Sequence, residues 1–70
     1  MVDRPKRLIR WPVVKAKTGV SRTSAFRLMR DGSFPLPVSI GERARAWIED
    51  EIDVWITKRI AESRSAHTTP

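Results

Sequence analysis

Residues 18–30, Thr18-Gly19-Val20-Ser21-Arg22-Thr23-Ser24-Ala25-Phe26-Arg27-Leu28-Met29-Arg30, decide the fold of this chain. They read as the turn and second helix of a helix-turn-helix. Gly19 supplies the turn. Ser21 is a good N-cap, because its hydroxyl can accept a hydrogen bond from a first-turn amide. Gly32 stands just past the other end as a C-cap. The interval predicts a helix over Arg22 to Arg30 or Asp31. At about 100° per residue, Ala25, Leu28 and Met29 fall on one side, and Thr23, Arg27 and Arg30 on the other, flanked by Arg22 and Phe26. One face packs and the other is cationic.

Working outward, Trp11-Pro12 marks a helix start, since proline suits the first helical position and holds the preceding residue extended. Helix 1 is predicted over Pro12 to Lys17, with Val14 inward. After Gly32 the texture changes to Phe34-Pro35-Leu36-Pro37-Val38-Ser39-Ile40. Two prolines forbid a helix there, and the alternation of Leu36, Val38 and Ile40 predicts an edge strand. Gly41-Glu42-Arg43-Ala44 is the turn and Arg45-Ala46-Trp47-Ile48 the return strand. Helix 3 opens at Glu49 or Asp50, where Asp50, Glu51 and Asp53 favour the positive end of the helix dipole. Ile52, Trp55, Ile56 and Ile60 form its apolar stripe. The expected fold is mainly α with a small β-hairpin, a winged helix-turn-helix of three helices plus a two-stranded wing. Residues 1–7 are expected to be a basic arm, 8–64 the folded domain and 65–70 a tail.

A chain of 70 residues makes one small domain that buries only about 60% of its unfolded surface, leaving little room for an enzyme cleft. It has no cysteine, so stability must come from packing, without disulfides or thiolate metal sites. No apolar run approaches the roughly 18 residues of a membrane helix, and no secretory signal follows the basic start. A cytoplasmic protein with no membrane partner is expected. The net charge of +6 is unevenly distributed. Residues 1–48 hold eleven Lys and Arg against three acids, a local +8, whereas 49–70 hold three against five, a local −2. A positive field that belongs to the first two-thirds of the chain suits a polyanion.

Several segments together carry a family resemblance: Arg7-Leu8-Ile9-Arg10, Thr18-Gly19-Val20-Ser21-Arg22-Thr23, Arg27-Leu28-Met29, Gly32-Ser33-Phe34-Pro35, Pro37-Val38, Ile40-Gly41 and Trp47 through Ile56. Over about residues 7–60 the chain resembles the AlpA family of phage and prophage regulators. The resemblance implies a MerR-like or excisionase-like winged-helix domain that binds DNA to control prophage gene expression, often acting on integrase genes and so on excision. The chain departs from the family pattern at Ala25 and Phe26, where relatives commonly carry a β-branched residue and then tyrosine. It departs again at Val13, where they usually carry a polar residue.

On an isolated amphipathic helix, Arg22, Thr23, Arg27 and Arg30 would be a solvated face. Behind a turn at this spacing they are placed to enter a major groove, where arginine grips guanine O6 and N7 and threonine meets a thymine methyl. The candidate DNA-contacting residues are Ser21, Arg22, Thr23, Ser24, Arg27 and Arg30 on helix 2 and Arg43 and Arg45 on the wing. Lys15 and Lys17 on helix 1 are weaker candidates for phosphate. Trp47 and Trp55 read as core; Trp11 and Val13 could form a local apolar patch. His67, alone in a polar tail, reads as solvated, and the acids of helix 3 read as a helix start with no nucleophile or base beside them. No cofactor, metal or catalytic activity is expected.

The expected function is sequence-specific binding of double-stranded DNA to regulate phage or prophage transcription, with several copies on the DNA. A recombination directionality factor (excisionase) would use the same surface, so the sequence does not separate the two. A reading from another class is a protein-interaction module that docks integrase or RNA polymerase through the Trp11 and Val13 patch or helix 3.

Overall fold

A computed structural model describes residues 6–66. Its elements are β1 (Leu8–Ile9), α1 (Trp11–Thr18), α2 (Arg22–Arg30), β2 (Val38–Gly41), β3 (Ala44–Ile48) and α3 (Glu49–Ala66). This is the expected winged helix-turn-helix, mainly helical with a β2–β3 hairpin. One strand goes beyond the sequence reading. The short β1 adds to the outer edge of β3, giving an antiparallel sheet in the order β1-β3-β2, with Leu8 opposite Ile48 and Ile9 opposite Trp47. The Glu49 N–H donates to the Arg7 carbonyl at 2.8 Å, so the backbone leading into β1 is fastened to the start of α3.

Local signals explain the helix limits. α1 is one residue longer at each end than Pro12 to Lys17. At its start the Arg10 carbonyl accepts the N–H groups of Val13 and Val14. At its end the Thr18 hydroxyl donates to the Val14 carbonyl at 2.8 Å. Gly19 then turns left-handed at φ 72°, its N–H returning to the Lys15 carbonyl. α2 begins at the Ser21 cap, whose Oγ accepts the Ser24 N–H at 3.2 Å. Its end closes with the paired bonds of a Schellman motif: Gly32 N–H to Met29 carbonyl and Ser33 N–H to Leu28 carbonyl, with Gly32 at φ 78°.

The core consists of Ile9, Val14, Ala25, Phe34, Ala46, Trp47 and Ile52, with Trp11, Val20, Leu28, Met29, Trp55 and Ile56 packed partly against it. Every helix and two strands contribute, so the helix-turn-helix and the sheet share one interior. Two tryptophans also pin the loop between α2 and the wing. Trp47 Nε1 donates to the Pro35 carbonyl at 3.0 Å and Trp55 Nε1 to the Ser33 carbonyl at 2.6 Å. Both indole donors are satisfied while their rings pack, as the polar end of a buried or half-buried tryptophan requires.

Two expectations are corrected. Leu36 lies outside the wing strand, which begins only at Val38, and it is 64% exposed; Pro37 has no N–H with which to extend the ladder. Ile60, expected on the buried stripe, is 45% exposed. From Thr57 to Ser65 every residue of α3 is exposed, because the helix has by then run past the core. α3 also continues through Ser65 and Ala66, into the stretch assigned to the tail. His67 and the first five residues of the arm lie outside the described residues.

Candidate nucleic-acid interface

α2 presents Arg22, Thr23, Phe26, Arg27 and Arg30 to solvent, while Ala25 is buried and Leu28 and Met29 are half-buried. The inward residues recur at helical spacing, and the remaining positions form a contiguous cationic face. Ser21 and Ser24 lie at its N-terminal edge, joined by the capping bond, and both are exposed.

The wing is held close to this face. β2 and β3 pair Val38 with Ala46 and Ser39 with Arg45, then slip by a bulge before Gly41 meets Ala44. The tip is tightened by the Arg43 N–H bonding the Gly41 carbonyl at 3.0 Å, and by the Ser39 hydroxyl donating to the same carbonyl at 3.2 Å. A bulge increases local twist and re-aims side chains. Arg43 and Arg45 come to line the same open cleft as Arg22.

That cleft, about 630 Å³, lies between α2, the start of α1 and the wing. Its charged lining is Arg22 from α2, Arg43 and Arg45 from the wing, and Arg10 from the residue capping α1. Arg10 was absent from the sequence-based candidates. Its signals in the sequence were its place immediately before Trp11-Pro12 and in the segment Arg7-Leu8-Ile9-Arg10, and neither says which surface it joins. The remaining walls are apolar: Trp11, Pro12, Phe26, Pro37 and Trp47. Trp11 and Trp47 lie tilted at 51° with centroids 5.8 Å apart, so the Trp11 indole belongs to the floor between α1 and the sheet. Val13 is exposed and is not among the residues lining the cleft.

The ion pairs among the described residues join Arg7 to Glu49, Lys17 to Glu49 and Asp53, and Arg59 to Glu62. None involves the four cleft arginines, Arg27 or Arg30. Four guanidinium groups around a concave surface, with no carboxylate partner among the described residues, make a field suited to a phosphate backbone. The planar donor fork of arginine adds bidentate recognition.

The other candidates are distributed differently. Arg27 and Arg30 extend the cationic face along α2 beyond the cleft, and Lys15 is exposed on α1. Lys17, a weaker candidate for phosphate, is engaged by carboxylates of the fold. Its Nζ lies 2.6 Å from Asp53 and 3.0 Å from Glu49, so it joins α1 to α3. Hydrogen bonds to Asp53 first and then Glu49 raise its pKa above the ordinary lysine value. Among the described residues no His, Cys, Asp or Glu cluster could hold a metal, and no helix is long and apolar enough to cross a membrane.

The chain can be set beside known proteins. It is 39% identical over 56 residues to ORF88 of Enterobacteria phage P4, an alignment covering 80% of this chain and 64% of that protein. This chain thus spans less than two thirds of that relative's length. It is 34% identical over 59 residues to the DNA-binding transcriptional activator AlpA of Escherichia coli K12, covering 76% of this chain and 84% of AlpA. No solved structure matches it. The profile of the family described as prophage CP4-57 regulatory protein (AlpA) matches residues 7–60, the span that holds the helix-turn-helix, the wing and the buried part of α3, and the chain belongs to that family.

Proposed function

We propose that this chain is a sequence-specific double-stranded DNA-binding protein that regulates phage or prophage transcription, with α2 in the major groove and the β2–β3 wing on the adjacent backbone. The observation that carries this reading is the cleft between α2 and the wing, where Arg10, Arg22, Arg43 and Arg45 converge with no acidic partner among the described residues. The DNA-binding activator AlpA among the relatives supports it. Ser21, Arg22, Thr23, Ser24 and Arg27 contact bases or nearby phosphates from the early turns of α2. Arg30, Lys15, Arg10, Arg43 and Arg45 fix the register on the phosphate backbone. The regulated genes include the integrase gene, through which the protein influences excision. It works in the cytoplasm, with several copies on the DNA.

The test is a salt series with the full chain on a duplex selected from a random library and on an unselected duplex. Phosphate contacts release counterions, so log affinity must fall steeply with log salt on both duplexes, with a constant preference for the selected one. A shallow salt dependence would remove DNA as the partner and turn attention to a protein partner such as integrase or RNA polymerase. Mapping of bound loci in the host, with transcript levels and excision read at the same loci, separates a transcription regulator from an excision factor.

A further inference from the structure

Phe26 is one of several large apolar side chains left exposed, and it stands among the arginines of α2. It is 50% exposed, in the middle of the cationic face of α2, one turn after Arg22. Its ring is also not isolated. The Arg22 guanidinium sits over it, 5.5 Å from the centroid. Beside it lies a small apolar notch of about 30 Å³ completed by Trp11, Ala25, Met29 and Trp47. The ring thus forms an apolar floor inside an arginine rim, and it steadies one of the arginines of that rim by a cation–π contact.

A cleft built for a polyanion has little use for an exposed phenyl ring unless the target offers something apolar. Phenylalanine has no hydroxyl to give a phosphate. On the base edges of the major groove the thymine C5-methyl is the apolar feature, and arginine bonded to guanine O6 and N7 is the commonest specific contact. Arg22 and Phe26 are adjacent on the helix surface, so they address neighbouring positions in the groove. We propose that Phe26 reads the C5-methyl of a thymine adjacent to a guanine gripped by Arg22. This rests on the placement of α2 in the major groove and assigns part of the specificity to a stacked pair.

The experiment uses the full chain and a duplex enriched from a random library. Each thymine is replaced singly by deoxyuridine, which removes the methyl and leaves the pairing edges intact. At one thymine beside a guanine whose replacement abolishes the Arg22 contribution, loss of the methyl should weaken binding about fourfold, the worth of one methyl-sized group taken from water. Phe26→Ala should bind the thymine and uracil duplexes equally, and should lose less affinity for a random duplex than for the enriched one. Phe26→Leu, which keeps apolar bulk and protects the test if the alanine variant folds poorly, should retain part of the difference. The proposal is overturned if no thymine responds, if the methyl effect persists in Phe26→Ala, or if Phe26→Ala weakens random and enriched duplexes alike, which would make the ring a backbone contact. If no duplex is enriched at all, the placement of α2 in the groove fails first, and this inference fails with it.

Discussion

Lys17 Nζ lies 2.6 Å from an Asp53 carboxylate oxygen, and this contact joins α1 to α3 across the back of the domain. The first helix of the helix-turn-helix is thereby braced against the last element of the fold, with Glu49 as a second acceptor at 3.0 Å. A lysine from the basic part of the sequence thus serves the scaffold.

Lys17→Met should therefore lower the melting temperature and leave the salt dependence of DNA binding unchanged. The folded-state pKa of Lys17 is raised above 10.5, so the stabilisation is complete below that value and is lost as pH rises through the raised one. The difference in melting temperature between parent and variant should persist at neutral pH and shrink at strongly alkaline pH. A variant that melts like its parent at pH 7 but shows a flatter salt slope would return Lys17 to the DNA surface.

Arg27→Ala removes a guanidinium from the exposed face of α2 without touching the core. Loss of a base contact should cost about 1–3 kcal/mol on the preferred duplex and relax the preference at one position. Titrations on matched and singly mismatched duplexes measure this. Equal affinities for parent and variant would take Arg27 out of the interface.

Neutralising Arg43 and Arg45 together to Gln should weaken enriched and random duplex alike. The slope of log affinity against log salt should flatten by up to about two units, since wing arginines address phosphates or a groove with little base information. Glu42 beside them on the turn favours the smaller end of that range. A salt series on both duplexes decides the matter; a loss confined to the enriched duplex would make the wing a base reader.

Trp47 is 6% exposed, pairs across from Ile9, stacks near Trp11 and bonds the Pro35 carbonyl. Trp47→Ala should cost on the order of 3–5 kcal/mol, most of the stability of a domain this small. Thermal melting by circular dichroism should show a lost or greatly lowered transition. Cooperative unfolding near the parental temperature would contradict the central position of this ring.

Gly19 holds φ at 72°, and a Cβ built there meets nothing within 4 Å. The cost of Gly19→Ala is then backbone strain alone, about 1–2 kcal/mol. Gly19→Asn should recover part of it, because asparagine tolerates the left-handed region. Chemical denaturation of the three proteins orders them as Gly, Asn, Ala; alanine equal to glycine would show that the turn adopts another conformation.

Much of this fold could be read from the sequence because its signals are local. Ser21 and Gly32 bracket α2 with bonds that reach only three to five residues. The spacing of Ala25, Leu28 and Met29 marks the inner face, and Pro35, Pro37 and the alternation after them announce an extended segment before the turn. Those signals also placed Arg22, Arg27, Arg43 and Arg45 on exposed surface. Tertiary structure decided what local pattern cannot encode. β1 is two residues long and exists because Ile48 and Trp47, far along the chain, offer Leu8 and Ile9 a ladder edge. Arg10 joins the cleft because β1 and α1 carry it toward the wing, and Lys17 pairs with carboxylates because α3 brings Asp53 and Glu49 against α1. Ile60 keeps the helical spacing of a core residue yet has no core beneath it, since periodicity reports which face a residue lies on and not how far the neighbouring elements extend.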